Sequence, residues 1–79
     1  MVAKKEAQAR DLAGDAASKD PYVGLKAVAA LRQLLESLEQ LQVANARQQG
    51  WSWQQIALRL GVSKQAVHQK YADRLDGED

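Results

Sequence analysis

Within the stretch from Ser63 to Arg74 the chain sets Lys64, Gln65, Ala66, His68, Gln69 and Lys70 between a hydroxyl and a guanidinium. Each polar type offers a different contact. Lysine and arginine donate to anions, a glutamine amide carries a donor beside an acceptor, and a serine at a helix start can share a phosphate with free backbone amides. This is the chemistry of recognition, not of bond making. The 79-residue chain has no cysteine and one histidine, so it offers no thiol nucleophile, no thiolate metal site and no histidine cluster. No carboxylate pair falls within the segment to serve as acid and base. We therefore expect no enzyme, no cofactor and no metal site.

The elements that must position these residues are written in GWSWQQIALRLGVSKQAVHQKY, residues 50–71. Ser52 and Gln55 make an S-x-x-Q capping box, and Trp51 with Ile56 a hydrophobic staple, so a short helix starts at Trp53. Ile56, Ala57 and Leu60 are expected on its inner face. Gly61 supplies the positive φ of a sharp exit, and Val62 is expected to pack under the turn. Ser63 then caps a further helix, along which Val67, Tyr71 and Leu75 recur every four residues on the buried side. Two short helices joined this tightly, with the small Ala57 where they approach, follow the pattern of a DNA-binding helix-turn-helix.

With Val67 and Tyr71 inward, Lys64, Gln65, His68 and Gln69 face out at the end of the helix that reaches base edges in the major groove. Gln65 and Gln69 would match adenine N6 and N7, Lys64 guanine O6 and N7, His68 guanine or a phosphate, and Ala66 a thymine methyl. Each strong contact is worth about 1 to 3 kcal/mol of discrimination. Lys70 and Arg74 lie further along and would clamp phosphates, while Ser63 would hold another at the helix start. Gln54 and Arg59, with Gln55, would meet the backbone across the groove. Trp51 and Trp53 are expected to be staple and core, not stacking platforms, and His68 an ordinary solvated side chain, not a proton switch.

Charge supports the same surface. The net charge is only +1, but residues 1–20 and 21–43 are each balanced, whereas in 44–75 Arg47, Arg59, Lys64, Lys70 and Arg74 face only Asp73. The excess falls where a phosphate-binding surface needs it. Asp76, Glu78 and Asp79 form an acidic tail, 76–79, read as a solvated end.

Upstream, residues 1–19 are rich in alanine and charge, and a flexible N-terminal arm is expected there. Asp20-Pro21 starts a long helix, whose firm part Gly24 is expected to delay to Leu25. Gly50 ends it. Along it Leu31, Leu34, Leu35, Leu38, Leu41 and Ala44 form an apolar stripe. Leu38, Leu41 and Ala44 are expected in the domain core. As heptads, Ala27, Leu31, Leu34, Leu38, Leu41 and Asn45 occupy seam positions. A helix over residues 21–49 spans roughly 43 Å at 1.5 Å per residue, too long for its two short partners to cover, so Leu31, Leu34, Leu35 and Leu38 are expected to bury against a second copy. Arg32, Glu36 and Glu39 break the apolar stretches far short of the roughly 20 residues of a membrane span, and the N-terminus has no leader-like apolar run. A cytoplasmic protein with no membrane partner is expected, with the nucleoid as its place of action.

The stretch IALRLGVSKQAVHQKYADRL resembles the helix-turn-helix of region 4 of bacterial sigma factors and of related response-regulator domains. It is also similar to small actinobacterial helix-turn-helix proteins carrying a GWSW…IA…LGVSKQAVHQKY segment. The resemblance covers about residues 38–75. Lys70 stands where a phage-repressor pattern has an aliphatic residue, which favours the sigma-like variant, and nothing in the chain resembles promoter-melting or core-binding regions. The expectation is an all-α protein with a helix-turn-helix three-helix core over 20–75 and a long leucine-rich first helix. It implies a homodimeric transcriptional regulator or nucleoid-associated protein binding double-stranded DNA in a sequence-specific way. The alternative is a protein-interaction module that docks on RNA polymerase or another protein through the leucine-rich helix.

Overall fold

The computed structural model describes residues 4–75, apart from the side chains of Lys5 and Leu75. Among the described residues it contains four helices and no strand: α1 (Lys4–Ala16), α2 (Pro21–Gln48), α3 (Trp53–Leu60) and α4 (Lys64–Leu75). The all-α helix-turn-helix class read from the sequence is the class observed. The acidic tail and the inward side chain expected of Leu75 lie outside the described residues. The chain divides into two compact units, Met1–Leu38 and Glu39–Asp79.

In the first unit the expected flexible arm is corrected: Lys4–Ala16 is helical. Its few large apolar groups pointed to an arm, but alanine, lysine, arginine, glutamine and glutamate are the strongest helix formers, and they fill most of the segment. Leu12, half-buried, shares an apolar cleft with Val23, Ala27 and Ala30 of α2. The chain leaves α1 through bonds from the Ala17 amide to the Gly14 carbonyl and from the Ser18 amide to the Asp15 carbonyl. Asp20 then caps α2, its carboxylate accepting from the Tyr22 amide at 3.0 Å and its carbonyl from the Gly24 amide at 2.9 Å. The helix therefore starts at Pro21 and is not delayed to Leu25. Ala27 and Leu34 are buried in this unit.

In the second unit, α2 ends in a left-handed Gly50 (φ 88°). The Trp51 amide donates back to the Ala46 carbonyl and the Gly50 amide to the Arg47 carbonyl, both at 3.0 Å, which satisfies carbonyls the helix end would orphan. The capping box of α3 forms as the sequence requires: the Ser52 hydroxyl accepts from the Gln55 amide and the Gln55 side chain accepts from the Ser52 amide. Gly61 (φ 75°) turns the chain out of α3.

The core of this unit is Val43, Trp53, Ile56, Ala57, Val67 and Tyr71, with Ala46, Trp51 and Ala72 packed against it. Val43 replaces Leu41 as the core residue of α2; Leu41 is 49% exposed. Ala44 and Leu38 are half-buried. Leu60 and Val62, expected inward, are also partly exposed, at 39% and 48%. The turn is closed by backbone, with the amides of Gly61 and Val62 both returning to the Ala57 carbonyl.

Candidate nucleic-acid interface

Helix α4 is fixed at its start by Ser63, whose hydroxyl accepts from the Ala66 amide at 3.0 Å. One of the amides expected to hold phosphate is thus already satisfied, while those of Lys64 and Gln65 stay at the helix's positive end. Val67 and Tyr71 are 3% and 1% exposed and dock α4 on its unit. Helical spacing then turns the neighbouring positions out. Lys64, Gln65, Ala66, His68, Gln69, Lys70 and Arg74 are all exposed.

Not every member of the set is equally free. The Lys70 ammonium donates to Glu39 Oε1 at 2.9 Å and lies 5.3 Å from the Tyr71 ring. The Tyr71 hydroxyl donates to the same carboxylate oxygen. Lys70, read as a phosphate clamp, is therefore engaged within its own unit, by a Glu39 that the sequence reading left out of the site. These donors hold the Glu39 carboxyl below the usual glutamate range, the Tyr71 hydroxyl contributing most and Lys70 next, against a smaller upward push from burial.

Two aromatic contacts meet at Trp53. The Trp53 ring receives the Arg47 guanidinium at 4.5 Å and meets the His68 imidazole in a T-shaped pair, centroids 5.7 Å apart and planes at 82°. Arg47 also donates to the Trp51 carbonyl at 2.8 Å. Its charge, counted in the basic segment, thus braces the α2–α3 junction. His68 is exposed yet keeps its ring against Trp53, so it is oriented by packing. Trp53 is core and Trp51 partly buried against it, as expected.

Gln54 is exposed directly after Trp53, the residue whose ring meets His68. Arg59 instead lines a groove of about 250 Å³ with Gln42, Asn45, Trp51 and Leu60, between the end of α2 and α3, and joins that side of the unit. Gln55 is occupied by its cap. Of the four residues expected at a dimer seam, Leu35 is 66% exposed, Leu31 and Leu38 are half-buried, and Leu34 is already covered by its own chain. Tyr22, Leu25 and Val28 are further exposed apolar residues of α2. Among the described residues no cluster of metal-ligating side chains occurs, and no helix is long and apolar enough to cross a membrane.

A tight two-helix unit with a polar, basic outer face on its second helix defines a class, and comparison places the chain in it. The sequence pattern of the homeodomain-like domain family matches residues 34–79. The chain belongs to that family and is a helix-turn-helix DNA-binding protein. Comparison with curated proteins and with solved structures gives no significant match.

Proposed function

We propose that the protein is a sequence-specific double-stranded DNA-binding regulator, or a nucleoid-associated protein, that acts as a homodimer in the bacterial cytoplasm with α4 in the major groove. The observation that carries this reading is the outer face of α4: Lys64, Gln65, His68 and Gln69 stand exposed at its start, on a helix anchored by Val67 and Tyr71. Amides and a cation at that end suit base edges, and Arg74 further along suits phosphate. A single module with so few free cations binds weakly at physiological salt, and pairing two on a palindrome raises affinity through effective concentration. Exposed Leu25, Val28 and Leu35 on α2 support pairing between copies.

The test is fluorescence anisotropy of a mixed-sequence duplex titrated at several salt concentrations, with wild type beside Lys64→Ala/Arg74→Ala. Binding that weakens steeply with salt, and by two fewer ions in the variant, is the expected result; a folded protein that does not bind at low salt refutes it. Sedimentation equilibrium with Leu25→Asp/Leu35→Asp tests the homodimer: the wild type should sediment as a dimer and the variant as a monomer. A second reading, docking on RNA polymerase or another protein through the leucine-rich helix, draws support from exposed Leu41 on α2, with Leu58 and Leu60 exposed on α3. Retention of the wild type on immobilised polymerase, lost in Leu41→Asp, would favour it.

A further inference from the structure

We propose that Glu39 is an internal competitor of DNA phosphate for the Lys70 ammonium, and so sets how tightly and how salt-dependently the protein grips DNA; the proposal rests on the DNA-binding reading above. Lys70 stands on α4 beside the residues of the reading face, and its ammonium is 2.9 Å from Glu39 Oε1. Surface ion pairs of lysine usually exchange freely with solvent and phosphate, since both side chains are long and mobile. This pair differs on one side. The accepting oxygen is also held by the Tyr71 hydroxyl, and Tyr71 is 1% exposed at the centre of the unit's core. The carboxylate is thus presented by a rigid group, while the Lys70 side chain remains 41% exposed and within reach of a ligand.

The consequence is electrostatic. A free lysine brought to a phosphate releases a counterion and adds about 0.9 to the slope of log affinity against log salt. A lysine already neutralised by a fixed carboxylate brings no net charge to the phosphate and so displaces no counterion from the DNA. Phosphate must displace or share it, against a negative charge that repels phosphate. Lys70 therefore contributes little to the electrostatic, sequence-independent part of binding. The base-edge contacts of Lys64, Gln65, His68 and Gln69 are untouched, so Glu39 lowers affinity for any DNA while leaving discrimination to those residues.

The experiment is the anisotropy titration of a mixed-sequence duplex across 0.05 to 0.3 M salt with wild type, Glu39→Gln, Lys70→Gln and the double variant. Glutamine keeps an acceptor oxygen for Tyr71 and removes the charge. Glu39→Gln should tighten binding roughly fourfold at 0.2 M and roughly eightfold at 0.1 M salt, and steepen the slope by about 0.9, the value of one phosphate contact referred to 1 M salt. The gain should vanish when Lys70 is also glutamine. Lys70→Gln alone should leave the wild-type slope unchanged, and this arm decides the question even if Glu39→Gln melts early. A Glu39→Gln slope equal to wild type, an equal gain without Lys70, or a slope loss of about 0.9 in Lys70→Gln alone each overturns the proposal while the DNA reading stands. Absence of salt-dependent binding by the wild type overturns both.

Discussion

Removing one oxygen from the core, Tyr71→Phe, isolates the bond that joins α4 to α2. The ring of Tyr71 fills the centre of the second unit and is retained, so no cavity opens and no large-to-small term enters. What is lost is a hydroxyl donated to the Glu39 carboxylate. A hydrogen bond to a charged group contributes about 1.5 to 3 kcal/mol. The Glu39 side chain is 26% exposed, so water can take up part of the lost bond, and the lower end, about 1.5 kcal/mol, is the expected loss at pH 7. Urea unfolding followed by tryptophan fluorescence reads it; with a slope of about 1 kcal/mol/M for so small a domain, the midpoint should fall by about 1.5 M.

The same bond predicts a pH dependence. Glu39 has its folded-state pKa lowered, first by Tyr71 and then by Lys70. A lowered carboxyl pKa contributes stability that is fully present above the unfolded value, near 4.5, and is lost as pH falls from there through the lowered folded value. The difference between wild type and Tyr71→Phe should therefore be constant from pH 7 to 5 and shrink below about 4.5. A variant as stable as wild type at pH 7, or a difference unchanged down to pH 3, would refute the assignment of Glu39 as the acceptor that matters.

Three further substitutions test the local chemistry by the same unfolding measurement. Gly61→Ala should lose about 1 to 2 kcal/mol, because the added Cβ meets no atom within 4 Å but must hold a φ of 75°; an unchanged midpoint would mean the turn relaxes. Gly24→Ala should gain about 1 kcal/mol of helix propensity, since its Cβ would sit 3.5 Å from the Ser18 carbonyl oxygen, an ordinary contact; a loss would show that α1 and α2 need the closer approach. Ser52→Ala removes the acceptor of the Gln55 amide and should cost about 1 kcal/mol, with the loss confined to stability.

The features legible in the sequence were those fixed by near neighbours. Asp20-Pro21, Ser52 with Gln55, Ser63, Gly50 and Gly61 each set a boundary through bonds spanning a few residues, and each forms as its chemistry requires. The inward pair Val67 and Tyr71 was legible for a related reason: α4 is short and carries few large apolar residues, so one pair sets its phase. From that phase the exposed set at residues 64–70 follows without further information.

The face of α2 that meets α3 and α4 was not legible, and the reason is chemical. Aliphatic side chains mark a core face in a sequence, and leucines gave α2 a stripe that passed through Leu38 and Leu41. The face used in the second unit is instead Glu39, Val43, Ala46 and Arg47, at helical spacings of four, three and one, with a single large aliphatic residue among them. Glu39 and Arg47 look like solvated charges until their partners are in place, a buried phenol for one and an indole face for the other, both supplied from far along the chain. Such a face carries a sequence signal only in combination: an acid four residues before a valine and an arginine four after it, in a chain whose later helices offer Tyr71 and Trp53. The same pairing corrects the charge count. Of the five cations that made residues 44–75 basic, Arg47 braces an indole and Lys70 is held by Glu39, which leaves Lys64 and Arg74 on α4 and Arg59 at the groove. A DNA grip built on so few unengaged cations must be weak in one copy, and the carboxylate that holds Lys70 keeps a fourth cation from adding to it.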